Sequence, residues 1–382
     1  MMTRNRANGE GTVYPRKNKH GKVMGYRASY WVRTANGRKR RYVSGKTKTE
    51  ALAALRKATA DRDSGLVFDA KNLKLGTYLE RWLQDSVKGT VKQTTYEGYE
   101  RLARVHLVPT VGDVKLSLLT PAHIRALYRE KIASGLAATS VQRIHALLHK
   151  ALKEAVNDGL IPRNVTDAVK APRQQRKEMK TFTPEQAHAF LDAAKDDRLG
   201  ALYVIAIHTG VRQGDLFGLR WEDVDLEAGT LSVHRTLSSA KGGPTFTTPK
   251  SDKARRVRLT PQATAALRDH RKRQLEERMR LAGLWQDHGL VFCSTVGTPL
   301  SRHNIYNRSF KPLLERAGLP RTFRFQDLRH IFATLMASSG GHVKVVQEML
   351  GHATTSITLD LYSHVLPDLQ EDAVDRLGTL LS

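Results

Sequence analysis

At 382 residues the chain is too long for one compact domain, and with 40% hydrophobic and 26% charged residues it has the composition of a globular protein. Lys and Arg number 63 against 37 Asp and Glu, a formal charge of +26, which points to a polyanionic partner: nucleic acid ahead of an anionic membrane surface or a ribosomal setting. The single cysteine, Cys293, excludes an internal disulfide and a cysteine zinc site; no apolar run reaches the ~18 residues of a membrane span and Met1–Glu10 has no apolar core, so the cytosol is the expected compartment.

Residues 1–65 hold 17 Lys or Arg and 4 Asp or Glu, half of the net charge in about a sixth of the chain. Tyr26, Ala28, Tyr30 and Val32 alternate with Arg27, Ser29, Trp31 and Arg33, the period of a strand with one basic face. Asn36-Gly37 predicts a type I′ hairpin turn, Arg38-Lys39-Arg40-Arg41 opens the next strand, and Thr49 begins a short helix. A small basic sheet with aromatics on the same strands suits DNA groove binding, where a bare charge run would be only a solvated face.

From Leu73 to Pro172 the pattern is helical. Leu75, Tyr78, Leu79, Trp82 and Leu83 share one helix face, as do Val141, Ile144, Leu148, Ala151, Leu152 and Ala155, with Gly159 and Pro162 closing the second helix. Thr120-Pro121 is a cap followed by proline at the first helical position. These apolar stripes read as core. Residues 171–180, APRQQRKEMK, read as a linker, and Thr183-Pro184-Glu185-Gln186 opens a helix with a capping-box pattern. Helices are predicted at 184–194 and 200–209, strands at 230–236, 244–248 and 255–259, and long helices at 261–282 and 302–317.

The chemistry-bearing residues lie between 208 and 364. Thr209-Gly210-Val211-Arg212 places an arginine after a glycine turn at a helix start, and Asp327-Leu328-Arg329-His330 carries a second arginine on a helix. Thr248-Pro249-Lys250-Ser251 falls in a turn between short strands, and Leu350-Gly351-His352 precedes Tyr362-Ser363-His364 by ten residues. Any one tract is weak evidence. An isolated arginine is more often a surface or ion-pair residue, a histidine a satisfied core residue, and a helical tyrosine, such as the competing Tyr203 and Tyr306, ordinary packing.

Together these tracts resemble the tyrosine recombinase (phage integrase) family over essentially the whole chain. The resemblance implies a multidomain fold: a small N-terminal β-sheet plus helix (1–65) binding arm-type DNA, a central all-α, SAM-like core-binding bundle (73–172), and a mixed α+β, mainly helical catalytic domain (181–382). It implies site-specific recombination of a phage or other mobile element through a covalent 3′-phosphotyrosine. In that chemistry Tyr362 is the nucleophile, Arg212 and Arg329 neutralise the non-bridging phosphate oxygens, Lys250 protonates the leaving 5′-oxygen and His352 hydrogen-bonds the phosphate. His330 packs behind the site, and the apolar-striped stretch Leu366–Leu381 docks onto a neighbouring protomer. The implied partners are double-stranded DNA with core-type and arm-type attachment sites, a homotetramer on that DNA, and an excisionase or DNA-bending host protein, all in the host bacterial cytoplasm and away from membranes. The bond energy stays in the phosphotyrosine, so no cofactor is expected. Gly45-Lys46-Thr47 has Arg40 where a P-loop needs its first glycine, and no His-Glu-x-x-His occurs, so no metal site is expected either.

Two positions depart from the family. Gln326 stands where His or Lys is usual and can contact phosphate without shuttling a proton. Asp215 replaces the commoner Glu, with Arg212 or His352 as the side chain it would orient. Gln326 leaves room for a DNA-binding regulator with a degenerate catalytic domain. The same chemistry also serves a type IB topoisomerase, which the extra basic sheet disfavours.

Overall fold

The computed structural model describes residues 12–18, 21–34, 37–63, 72–173, 181–240, 243–248 and 255–362, with isolated positions at 374, 378–379 and 381. Backbone contacts divide the chain into two units, Met1–Arg176 and Lys177–Ser382. Most of the expected linker, residues 174–180, lies outside the described residues, as does almost all of the Leu366–Leu381 tail.

The first unit begins with an antiparallel meander, β1 (Thr12–Lys17), β2 (Val23–Thr34) and β3 (Gly37–Gly45), backed by α1 (Lys48–Asp63). The strand alternation of β2 is real: Ala28, Tyr30 and Val32 are buried against Leu55 and Ala58 of α1, whereas Trp31 on the other face is 52% exposed. Ser29 is the exception, buried and accepting from Arg40 Nη2 at 3.0 Å. The expected Asn36-Gly37 turn is displaced by one residue. Thr34 pairs with Gly37, so Gly37 starts β3 and the connection is residues 35–36, which are not described. The helix is longer than expected and starts one residue earlier. Thr47 Oγ1 accepts from Glu50 N at 3.1 Å and Glu50 Oε2 accepts from Lys46 N at 2.8 Å, a reciprocal cap that fixes its entry.

The rest of this unit is helical: α2 (Leu75–Trp82), α3 (Gln93–Leu102), α4 (Val108–Val111), α5 (Pro121–Ala133) and α6 (Ala138–Asn157). Both predicted apolar stripes are buried in one core. Two aromatics in it also satisfy their polar ends on α6: Tyr78 Oη donates to the Ala151 carbonyl at 2.7 Å, and Trp82 Nε1 to Glu154 at 2.8 Å. Thr120 caps α5 with His123 reaching back to it. Gly159, at φ 68°, turns the chain out of α6.

In the second unit α7 (Pro184–Ala193), capped by Thr183 and Gln186, is followed by α8 (Gly200–Thr209) and α9 (Gln213–Phe217). Strands β4 (Val224–Asp225), β5 (Thr230–Val233), β6 (Thr236–Ala240), β7 (Gly243–Thr247) and β8 (Arg255–Arg258) follow. The single strand expected at 230–236 is two strands in two sheets: β5 lies between β4 and β8, and β6 pairs only with β7. The break at His234-Arg235 lets Arg235 turn to Asp223, 2.7 Å away. The remaining elements are α10 (Pro261–Leu281), α11 (Arg302–Ile305), α12 (Lys311–Arg316), α13 (Asp327–Ser338), α14 (Val343–Leu350) and α15 (Thr355–Tyr362). The helix expected at 302–317 carries a wider π-type turn, Tyr306–Phe310, between α11 and α12. Phe190, Tyr203, Phe310 and Phe325 meet edge to face and offset in the centre of the core.

Candidate active site

α8 ends at Thr209, and Gly210 takes φ 60° to reverse the chain. A Cβ at Gly210 would collide with the side chains of Phe332 and Leu350, so the position excludes other residues on both counts. Val211 is buried, and Arg212 caps α9. From there Arg212 Nη2 donates to the Gly351 carbonyl at 3.1 Å, while Nη1 stands 4.0 Å from Asp215.

Arg329 rises from the first turn of α13 and is only 4% exposed. Its Nη1 donates to the Gly210 carbonyl at 2.7 Å and its Nη2 to the Leu350 carbonyl at 2.6 Å. One guanidinium fork thus ties together two glycine turns that lie far apart in sequence. Carbonyls at helix ends are short of partners, and the planar fork satisfies one at each turn.

The second turn follows α14. Gly351, at φ 63°, closes that helix, and His352 is held through its backbone by Gln347, which accepts from His352 N at 3.1 Å and donates to its carbonyl at 3.0 Å. His352 Nδ1 lies 2.9 Å from the hydroxyl of buried Thr358. When Thr358 donates, the proton of the neutral ring sits on Nε2, where it can be given to a phosphate oxygen. Thr358 belongs to α15, which packs against α13 and α14 and whose last residue, one turn further on, is Tyr362. The Tyr362 side chain and the whole of Lys250 lie outside the described residues.

Burial, reinforced by concentrated positive charge, governs ionisation here. Burial, then Arg212 and Arg255, pushes Arg329 down to about 9, so it still carries its charge at neutral pH. Arg212 is lowered by burial and by Arg255. Burial, then Arg329, Arg212, His330 and Arg255, pushes His352 down to about 4, which leaves the imidazole neutral. His330 is likewise lowered, mainly by burial, and its Nδ1 has no hydrogen-bond partner among the described residues.

Arg255 was not anticipated, and it shares Asp215 with Arg212. That carboxylate, 3% exposed, accepts from Arg255 Nη2 at 2.9 Å and not primarily from Arg212; neither does it reach His352 through any hydrogen bond. The signal lay in the strand period. Arg255 shares a face with buried Val257, whereas Arg256 and Arg258 point to solvent, but four arginine and lysine residues between 253 and 258 hid the alternation. Gln326 is exposed immediately before α13, its carbonyl accepting from Arg329 N at 3.2 Å. No cluster of metal-ligating side chains occurs among the described residues.

Residues 180–368 match the phage integrase family, and residues 74–132 match its N-terminal SAM-like domain. A tyrosine recombinase XerC-like protein of Caldanaerobacter subterraneus subsp. tengcongensis is 30% identical over 95% of this chain and 97% of its own. An integrase of Streptomyces ambofaciens is 30% identical over 87% of each chain. In structure, the chain is similar to the Tn1549 transposon integrase bound to a circular intermediate DNA, with TM-score 0.68 and 21% identity over 79% of this chain and 99% of that one. It is similar also to lambda integrase in a tetramer bound to a Holliday junction, with TM-score 0.57 and 21% identity over 94% and 96%. The chain belongs to the phage integrase family of tyrosine recombinases.

Proposed function

We propose that the cluster of Arg212, Arg329 and His352 binds the scissile phosphate of a DNA strand and that Tyr362, at the end of the adjoining helix, attacks it. Family membership makes the chain a site-specific recombinase of mobile elements. The residue roles rest on one observation above all: the Arg329 fork that draws the Arg212 turn and the His352 turn to one place.

In the proposed step the Tyr362 oxygen, its phenolic proton lost to solvent, forms a bond to phosphorus while the bond to the 5′-oxygen breaks. The products are a 3′-phosphotyrosine and a 5′-hydroxyl, with Lys250 giving the leaving oxygen its proton. Two arginines desolvated by burial stabilise the extra negative charge of the pentacovalent state more than they do the ground state. Neutral His352 donates from Nε2, and Gln326 adds an amide contact without taking part in proton transfer. Religation is the same path in reverse with another strand's 5′-hydroxyl. The geometry gives no support to a degenerate, purely DNA-binding role.

DNA would also be held by the first unit. On its sheet Arg27 lies 4.2 Å over the Tyr42 ring, and Arg40 faces both Trp31 and Tyr42, a basic and aromatic surface suited to a groove. We assign residues 1–65 to arm-type sites, 73–172 to core-type sites and 181–382 to catalysis. Four protomers assembled on two duplexes would complete the exchange, with the Leu366–Leu381 tail joining neighbours and an excisionase or DNA-bending protein setting direction.

The test is Tyr362→Phe on a nicked substrate that traps the cleaved strand. The variant should bind DNA as wild type does and form no covalent protein–DNA species. A covalent species from Tyr362→Phe would overturn the assignment.

A further inference from the structure

Among the described residues, Arg255 is the one buried cation of the site to which neither the family motifs nor the proposed reaction gives a task. Its side chain is 9% exposed. Nη2 is committed to Asp215, which stands one turn along α9 from Arg212, while Nε and Nη1 have no hydrogen-bond partner among the described residues. The guanidinium lies under the second glycine turn: a Cβ at Gly351 would sit 2.8 Å from Arg255 Nη1. Arg255 is also the first residue of β8, paired with Val233 of β5.

We propose that Arg255 is a positioning residue for DNA cleavage. Clamped by Asp215, it ties the start of β8 to the helix that follows Arg212 and lays a third positive charge behind the Gly351-His352 turn. Asp215 then serves the reaction through Arg255. A carboxylate 3% exposed beside two cations compensates the charge of one of them, and the distances of 2.9 Å and 4.0 Å say which. The unpaired donors of Arg255 face a turn whose left-handed glycine leaves them room. The groups whose charge bears on His352 are Arg329, Arg212, His330 and Arg255, so removing Arg255 alters the field on the imidazole as well as the link between β8 and α9.

This inference rests on the cleavage reading above, and the experiment separates the two. Arg255→Gln, Arg255→Lys, Asp215→Asn and the double variant Asp215→Asn/Arg255→Gln are made in the full chain. Single-turnover covalent complex formation on the nicked substrate is followed at saturating protein, with DNA affinity measured separately. The His352 ring is titrated by NMR without DNA, its signal assigned by loss in His352→Gln. Arg255→Gln should cut the cleavage rate on the order of 10- to 100-fold with affinity nearly unchanged, the mark of an interaction used in the transition state. His352 should titrate higher in that variant. Arg255→Lys should restore the low His352 titration and part of the rate. Asp215→Asn should cost about as much as Arg255→Gln, and the double variant no more than either, because one pair is broken in each case.

The proposal falls if Arg255→Gln cleaves within about two-fold of wild type, a change too small for a desolvated charge. It falls equally if Gln and Lys variants are alike in rate with His352 unmoved, or if the Asp215 and Arg255 effects multiply. If Arg255→Gln does not fold, Arg255→Lys and Asp215→Asn carry the same comparisons. If wild type forms no covalent species, the Tyr362 reading fails, and the His352 titration still decides for or against Arg255.

Discussion

Arg329 donates from Nη2 to the carbonyl of Leu350, 2.6 Å away, and this bond makes the loop before His352 a part of the same rigid body as α13. The second arm of the fork reaches Gly210, so the arginine is at once a structural clasp and a reserve of positive charge.

Arg329→Lys keeps a cation and loses the fork. An ammonium on a flexible stem cannot hold both carbonyls in plane. One buried acceptor left unpaired costs about 1–3 kcal/mol. Stability should fall by that amount in denaturant titration, and covalent complex formation on the order of 100-fold or more. Wild-type cleavage by this variant would show that the clasp is dispensable.

The two turn glycines should respond differently to alanine. At Gly351 the penalty is the left-handed backbone, about 1 kcal/mol or more, plus displacement of Arg255. Gly351→Ala is expected to fold, with a lowered melting temperature and slower cleavage. At Gly210 the added methyl meets Phe332 and Leu350 inside the core, so Gly210→Ala should be the more destabilised of the two in melting experiments. Equal stability for both variants would contradict the packing described for Gly210.

Acid should loosen the second unit before its carboxylates titrate. His208, His270, His330 and His352 are all held below the ordinary histidine value, in each case mainly by burial. The unfolded chain takes up these protons near pH ~6.5, whereas folded His352 does so only at about 4. More protons are bound by the unfolded state in that window, so stability is full above it and is lost as pH falls through it. Melting temperature should therefore decline between about pH 6.5 and pH 4; a flat profile there would refute the burial of these rings.

On the N-terminal sheet, Trp31→Ala removes an exposed ring that Arg40 faces at 5.9 Å. Being on the surface, it should change stability by no more than about 0.5 kcal/mol. Binding of arm-type duplex should weaken by about 1 kcal/mol, or five-fold, while covalent complex formation on an isolated core-type site is unchanged. Mobility shifts on the two duplexes measure both, and a parallel loss on the core-type site would remove the arm assignment.

Much of this protein is determined locally and could be read from the chain. The period-2 run in β2, the period-3.6 stripes of α2 and α6, and the caps at Thr120 and Thr183 depend on neighbours a few residues away. Gly210 declared its turn because only a residue without Cβ reverses the chain there cheaply. Tertiary structure alone decided the rest. The chain divides 230–236 between two sheets because strand partners are chosen by the fold and not by propensity. Asp215 turned to Arg255, 40 residues away in sequence, because a buried carboxylate takes the cation that packing delivers at 2.9 Å over the one its own helix offers at 4.0 Å. Sequence names which residues carry charge; only burial and contact decide which of those charges must be paired.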